Sequence, residues 1–255
     1  MSKSRSSRWF YYAAPQNFFH LSAVLWPWCA GVAGVLGIWG LYWGLLIAPV
    51  DAQQGEAYRI IFVHVPASWM SMVIYMAMAF WSIMGLVFNT RLSALMTRAL
   101  APTGAMFAFI SLWSGALWGK PMWGTWWVWD ARLTSELLLF FLYLGYMALT
   151  SAIEDPKKGD RAGALIAIVG SVNVPIIYFS VKWWNTLHQG SSITMGQAPS
   201  MAKLMLWAML LMALSFWAYT LAVVFYRVRV MILLRERQTQ WLRDWVSEQG
   251  AKGVA

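Results

Sequence analysis

Six long apolar runs constrain this chain more than any other feature of its sequence. The runs lie near residues 21–48, 60–88, 99–117, 133–152, 162–181 and 204–226, and the chain is 60% hydrophobic and only 11% charged. A helix needs about 20 apolar residues to cross the hydrocarbon core, and continuous rather than alternating hydrophobicity favours helices over a barrel. The sequence therefore predicts an all-α integral membrane protein with six transmembrane helices, forming a single polytopic domain over residues 1–255. Asn173 and Pro175 lie within the fifth run and predict a kink there.

The basic residues predict how these helices are oriented. Of the 19 Lys and Arg residues, 14 lie in the terminal tails or in the links after the second and fourth runs. The links after the first, third and fifth runs hold the other five: Arg59, Lys120, Arg132, Lys182 and Lys203. Cytoplasmic segments carry the excess of positive charge, so both termini are predicted in the cytoplasm. The net charge of +9 is then a topology signal and does not indicate a nucleic-acid partner.

The link between the third and fourth runs is unusually rich in tryptophan. Residues 118–136 read WGKPMWGTWWVWDARLTSE. Gly119, Pro121 and Gly124 are expected to interrupt a long helix, which predicts an external loop or, from Met122 onward, a short amphipathic helix. Indoles also line membrane interfaces, but so many in one link favour a surface for a large planar ligand. The candidates are Trp118, Trp123, Trp126, Trp127 and Trp129.

Two histidines are predicted on the same outer side as the tryptophans. His64 opens the second run and His188 lies in the link after the fifth, whereas His20 lies alone on the inner side. Imidazole is a common axial ligand of haem iron, and zinc would be expected to recruit further ligands that this face lacks. Arg132 and Arg59 lie on this side and could pair with the haem propionates.

Cys29 is the single cysteine and forms no CxxCH motif, so any haem is predicted to be bound non-covalently. Asp130 is a candidate N-cap of the fourth run. Glu136 lies about one turn inside that run, where it is either functional or paired with Arg132 four residues back. The segment GALWGKP at residues 115–121 has the wrong spacing for a phosphate-binding loop, so no ATPase motif and no enzyme activity are predicted.

Three segments together resemble a known family. They are WGTWWVWDARLTSELLLF from Trp123, VHVPASW around His64 and WWNTLHQGSS around His188. They resemble the tryptophan-rich "WWD" haem-handling membrane proteins, and the six-span length is that of the heme exporter protein C family of cytochrome c maturation, not of the much longer haem lyases related to it. The resemblance implies that His64 and His188 are the axial ligands of haem b. It further implies that the five tryptophans with Asp130 form the haem platform and that Arg132 contacts a propionate.

The resemblance also implies a location and partners. It implies a multi-pass protein of the bacterial inner membrane, surrounded by lipid, that holds haem at the outer face. The implied partners are the ATPase and membrane subunits of an ABC transporter, a small one-span helper protein and a periplasmic haem chaperone that receives the haem. This is haem transport for cytochrome c biogenesis rather than catalysis.

Two other functions compete with haem presentation. A redox subunit of the cytochrome b type would hold a permanent haem between histidine pairs inside its helices, whereas His64 and His188 lie at helix mouths. A solute carrier or channel would place polar residues along several runs, and only Asn173 and Glu136 approach that pattern.

Overall fold

The computed structural model describes residues 11–190, 193 and 198–253, and its regular elements are helices. Lys3, Arg5 and Arg8, which contribute to the predicted basic N-terminal tail, lie outside the described residues. The α-helices are α1 (Pro15–Tyr42), α2 (Ile61–Phe88), α3 (Arg91–Trp123), α4 (Ala131–Ala152), α5 (Pro156–Gly170), α6 (Asn173–Trp183), α7 (Lys203–Arg235) and α8 (Gln240–Gly253). One wider turn, Trp43–Ile47, extends α1, and a short 3₁₀ helix, Glu56–Ile60, leads into α2.

Among the described residues, six helical segments are long and apolar enough to cross a membrane, which confirms the predicted fold class. Each begins before the predicted run, and several extend well beyond it at one end or both. The segments are Pro15–Ile47, Glu56–Phe88, Arg91–Trp123, Ala131–Ala152, Pro156–Trp183 and Lys203–Arg235. The additional residues include polar and charged side chains, so the helices continue beyond the ends of the apolar runs.

The fifth span is broken where the sequence places a polar residue and a proline. α5 ends at Gly170 and α6 begins at Asn173, two residues before Pro175. The buried side chain of Asn173 donates to the carbonyl of Ser135 on α4 at 2.9 Å. Since proline disrupts the helical hydrogen-bond ladder and a polar side chain in hydrocarbon needs a partner, this contact explains how the kink predicted here is stabilised.

The tryptophan segment begins as helix. α3 continues through Gly119 and Pro121 and ends at Trp123, so the prediction that these two residues interrupt the helix is wrong. Gly124 ends it instead, with φ at 75° and its N–H bonded to the carbonyl four residues back at 3.1 Å. Glycine adopts this left-handed conformation without a steric penalty. Residues 124–130 are irregular, which confirms the loop and excludes the short amphipathic helix.

α2 occupies the centre of the bundle, where it packs against α3, α5 and α7, and α1 packs along α7. Buried tyrosines fill the space between the central helices. The hydroxyl of Tyr143 donates to the carbonyl of Ser71 at 2.6 Å, and that of Tyr75 to the carbonyl of Ile166 at 3.1 Å. Gly104 makes room for the Tyr143 ring, because a Cβ there would lie 2.2 Å from it. This packing fixes the helix ends that carry the candidate site.

Ion pairs join the helices at one end of the bundle. This end lies opposite residues 124–130, which we call the tryptophan loop. Asp160 at the start of α5 accepts from Nε of Arg98 on α3 at 2.5 Å and from Nη1 of Arg235 on α7 at 2.7 Å. Trp241 and Trp245 of α8 pack on this end against Phe19 of α1, with ring centroids 5.8 and 5.1 Å apart. The described basic residues of the links after the second and fourth spans therefore lie at this end.

Candidate functional site

The two outer histidines meet at one mouth of the bundle. His64 lies in the first turn of α2 and is 6% exposed, whereas His188 is half-buried in the segment after α6. Their ring centroids are 6.1 Å apart and the ring planes are inclined by 35°. The structure thus brings together two imidazoles that are far apart in the sequence, as their predicted location on one side requires.

Hydrogen bonds assign the same tautomer to both imidazoles. Nδ1 of His64 lies 3.0 Å from Oγ of Ser114, and that hydroxyl donates its own proton to the carbonyl of Ile110 at 2.5 Å. Nδ1 of His64 is therefore the donor. Nδ1 of His188 donates to the carbonyl of Gln189 at 2.8 Å, since a carbonyl only accepts. Each ring keeps Nε2 with its lone pair, which is the nitrogen that binds a metal.

The surroundings also keep His188 uncharged. Burial, followed by the positive charge of Arg132, lowers the pKa of His188 from 6.5 to about 4. An imidazole with that pKa is neutral at pH 7 and retains its lone pair. The site therefore supplies a neutral ligand in the physiological pH range.

Two cavities flank the histidine pair. Both are open to solvent, and with the space at their mouths included they measure about 710 and 380 Å³. His64, His188 and Arg132 line both of them. The histidine pair is therefore accessible from both cavities.

The structure divides the five predicted tryptophans into two groups. Trp118 is buried, lines the first cavity and lies edge-on to His64, with ring centroids 5.6 Å apart. Trp123 and Trp127 line the second cavity, and the Trp123 ring lies 6.5 Å from that of His188. The buried indole N–H of Trp127 has no hydrogen-bond partner among the residues that the structure describes, so it can donate to a ligand.

The other two tryptophans face outward. Trp126 is 54% exposed and Trp129 is 76% exposed, and neither is among the residues that line the two cavities. Lys120 lies 5.9 Å from the Trp126 ring centroid, and Trp129 contacts the edge of Trp127. Within the tryptophan loop, Trp127 therefore lines a cavity, whereas Trp126 and Trp129 lie on the outer surface.

The predicted charged residues take different positions. Asp130 is the N-cap of α4, because Oδ1 accepts from the Leu133 N–H at 2.8 Å. Arg132 lines both cavities, and its guanidinium donates to Ser68 Oγ at 2.9 Å and to the Ile177 carbonyl at 2.8 Å. These bonds use two of its five N–H groups. Asp130 thus has a structural role, while Arg132 retains donors for a ligand.

Arg59 is held away from the cavities by protein acceptors. Its guanidinium pairs with Glu56 and donates to the carbonyls of Gly44 and Ala48 at 2.8 and 3.0 Å. It lines neither cavity. The structure therefore does not bring Arg59 to the histidine pair, and its contact with a haem propionate stays a prediction.

Glu136 contributes a buried carboxyl group to the second cavity. Oε1 accepts from Ser71 Oγ at 2.8 Å, whereas Oε2 has no hydrogen-bond partner within the described part of the chain, and the residue is 4% exposed. None of the ion pairs between described residues joins Glu136 to Arg132. The functional role of Glu136 and its pairing with Arg132 therefore both stay hypotheses.

Three polar residues of the site had no signal in the sequence. They contact the histidines or the platform through side-chain hydrogen bonds: Ser114, Gln54 and Thr186. A single serine, glutamine or threonine resembles any other in sequence, and each of these meets a partner in another element. Only the folded structure identifies them.

The donor set favours a planar metal complex over a bare ion. Within the described residues, no group of three or more His, Cys, Asp or Glu side chains could hold a metal ion. Two neutral imidazoles suit an iron whose other four ligands come from a macrocycle, and the indoles of the cavity walls suit the macrocycle itself. The residues present therefore fit haem.

Comparison with known proteins agrees with this chemistry. The family model described as heme exporter protein C matches residues 8–243. The heme exporter protein C of Escherichia coli K12 is 44% identical over 242 residues, covering 94% of this chain and 97% of the relative. That of Haemophilus influenzae is 45% identical over 232 residues (91% and 94%), and that of Bradyrhizobium diazoefficiens is 47% identical over 204 residues (80% and 77%). The chain therefore belongs to the heme exporter protein C family.

Proposed function

We propose that this chain binds haem b non-covalently at the outer face of the bacterial inner membrane and delivers it to a periplasmic haem chaperone. The observation that carries the proposal is the close pair of imidazoles, His64 and His188, whose Nδ1 atoms are engaged in hydrogen bonds so that each Nε2 keeps its lone pair. An imidazole nitrogen binds a transition metal at roughly 2 Å, so two such bonds plus the ring radii come to about 6 Å. The centroid separation of 6.1 Å supports one iron between the rings.

The cavity walls supply the contacts that a porphyrin needs. Trp118 lies on the side of the first cavity, and Trp123 and Trp127 on the side of the second. The free N–H groups of Arg132 and the unpaired indole N–H of Trp127 can donate to the haem propionates. Cys29 is the one cysteine and belongs to no CxxCH motif, which supports non-covalent binding.

The position of the site favours presentation over permanent storage. His188 lies in an irregular segment at a helix mouth, whereas a permanent redox haem is expected between ligands held inside helices. We therefore prefer a haem-presenting component over a cytochrome-type redox subunit.

The proposed partners follow from membership of the family. They are the ATPase and membrane subunits of an ABC transporter, a small one-span helper and the chaperone. The sequence has no phosphate-binding loop, so ATP hydrolysis belongs to the transporter and this chain is not an enzyme. The cation asymmetry supports cytoplasmic termini, which would direct the histidines and the tryptophan loop to the periplasm.

A visible spectrum of the protein purified from haem-replete cells tests the proposal. We expect a low-spin, six-coordinate haem spectrum and about one haem per chain, extractable by acidic acetone because no covalent bond forms. A protein that carries no haem, or haem that resists extraction, would refute this function.

A further inference from the structure

The two histidines are held in place by different kinds of structure. His64 lies on the long helix α2, is buried and is bonded through Nδ1 to Ser114 of α3. His188 lies between the end of α6 at Trp183 and the start of α7 at Lys203, where its neighbours form no helix. Its position must therefore come from side-chain contacts.

One such contact runs through Gln54 in the link between α1 and α2. Its Nε2 donates to Oε1 of Gln189 at 2.7 Å, and its own Oε1 accepts from the indole N–H of Trp118 at 2.8 Å. The backbone N–H of Gln54 is bonded to Oδ1 of Asp51 at 2.8 Å. Gln54 thus joins the residue next to His188 to the tryptophan that lies beside His64.

The second contact runs through Thr186. Its hydroxyl donates to Oδ2 of Asp130 and accepts from the backbone N–H of His188 at 3.1 Å. Because Oδ1 of Asp130 caps α4 through Leu133, this carboxylate links the start of α4 to the histidine segment. The segment is therefore held on either side of His188, at Gln189 by Gln54 and at Thr186 by Asp130.

We propose that Gln54 and Thr186 are positioning residues that hold His188 opposite His64, and that His188 is the axial ligand that leaves when haem is handed on. The proposal rests on the haem function proposed above. Removing His64 from the iron requires a buried side chain on a packed helix to leave its place and its bond to Ser114, whereas His188 lies in an irregular segment held by two side-chain contacts. Each such contact shifts the equilibrium by about fivefold, which is enough to hold a ligand and weak enough to release it.

Carbon monoxide binding to the reduced, haem-loaded protein measures this release. Carbon monoxide binds a six-coordinate ferrous haem only after one axial ligand leaves, so its observed rate follows the fraction of time that the position is open. We expect Gln54→Ala and Thr186→Val to raise the rate about fivefold each, and the double variant about 30-fold. Thr186→Ser retains the hydroxyl and should restore the wild-type rate.

Two matched variants control for general loosening of the outer face. Gln53→Ala removes a side chain next to Gln54 that makes no described hydrogen bond, and Thr134→Val removes an exposed hydroxyl on α4. Both should bind carbon monoxide at the wild-type rate. If they accelerate binding as much as the positioning variants do, the effect is not specific and the proposal fails.

Glycine variants rescued with imidazole identify which histidine leaves. When His188→Gly is loaded in the presence of imidazole, the changes at Gln54 and Thr186 should have no further effect on the rate. When His64→Gly is loaded in the same way, the two changes should still accelerate binding. The reverse pattern would show that His64 is the ligand that leaves and would overturn the proposal.

Hydrogen exchange of the haem-free protein provides a readout that does not depend on haem. Backbone amides of residues 184–190 should exchange about fivefold faster in each positioning variant, whereas those of α2 around His64 should not change. A wild-type protein without six-coordinate haem would refute the proposed function. Six-coordinate wild type with unresponsive positioning variants would refute only this inference.

Discussion

Nδ1 of His64 donates a 3.0 Å hydrogen bond to Oγ of Ser114, which joins α2 to α3 at the wall of the candidate site. This bond orients the ring and strengthens Nε2 as a ligand. We expect Ser114→Ala to speed haem loss about fivefold, because a hydrogen bond of this kind contributes about 1 kcal/mol. Transfer of haem to excess apomyoglobin measures the rate.

A second buried serine provides the control. Ser82 lies on the same helix as His64, in the half away from the site, and its Oγ has no partner. Ser82→Ala should leave the rate of haem loss unchanged. Equal rates for Ser114→Ala and the wild type would show that this hydrogen bond does not support the ligand.

The histidine pair itself gives the most direct prediction. Replacing either His64 or His188 with Ala should convert the six-coordinate spectrum to a five-coordinate one, since each supplies one axial nitrogen. Replacing both should remove most of the haem. His20→Ala is the control. His20 is exposed and lies near the start of α1, away from the site, so this change should leave the spectrum unchanged. An unchanged spectrum in the double variant would contradict the ligand assignment.

The tryptophans should differ in their effect on haem affinity. Alanine at a residue that lines a cavity removes a ring that can contact the macrocycle, so each change at Trp118, Trp123 or Trp127 should weaken binding by about 1 kcal/mol beyond the loss of apolar area. The exposed Trp126 and Trp129 should give smaller losses. Haem titration of the apo-protein measures the affinity of each variant. Equal losses in the two groups would mean that haem does not bind in these cavities.

The sequence was sufficient to predict the six spans and the shared location of His64 and His188. Hydrophobicity over about 20 residues is a property of each segment by itself, and the side of the membrane follows from the order of the segments. The same reasoning located the break at Asn173 and Pro175, because proline disrupts a helix whatever surrounds it.

The end of α3 and the function of individual charged residues could not be predicted in this way. Proline and glycine disfavour helix locally, but tertiary packing carries α3 through Gly119 and Pro121. The side of the membrane alone does not separate Arg59 from Arg132, yet Arg59 meets Glu56 and backbone carbonyls while Arg132 reaches both cavities. Such differences depend on which acceptors the fold brings near each guanidinium.

The ion-pair cluster at the opposite end of the bundle should govern stability and not haem binding. Asp160 lies between Arg98 and Arg235, and its side chain is 15% exposed. Removing one partner of a largely buried pair leaves charges unpaired, so Asp160→Asn should destabilise the fold by about 2–3 kcal/mol. Thermal unfolding in detergent should show a lower midpoint, while the haem spectrum at low temperature stays unchanged.

Asp244→Asn is the matched change for that measurement. Asp244 lies on the exposed surface of α8 and accepts a hydrogen bond from Gln240 at 2.8 Å. Exposed polar contacts contribute little, so this variant should unfold at the wild-type midpoint. A haem spectrum altered by Asp160→Asn would show that the two ends of the bundle are coupled.

The orientation of the chain can be tested with single cysteines. In a Cys29→Ser background, a cysteine at Thr125 in the tryptophan loop should react with a membrane-impermeant maleimide added to spheroplasts. A cysteine at Lys157, in the link after the fourth span, should react only after the membrane is opened. The physical reason is that 14 of the 19 Lys and Arg residues lie on the side of Lys157 and five on the side of Thr125, and the positive excess stays in the cytoplasm. If Thr125→Cys reacts only in opened membranes, the histidine pair faces the cytoplasm and cannot present haem to a periplasmic chaperone.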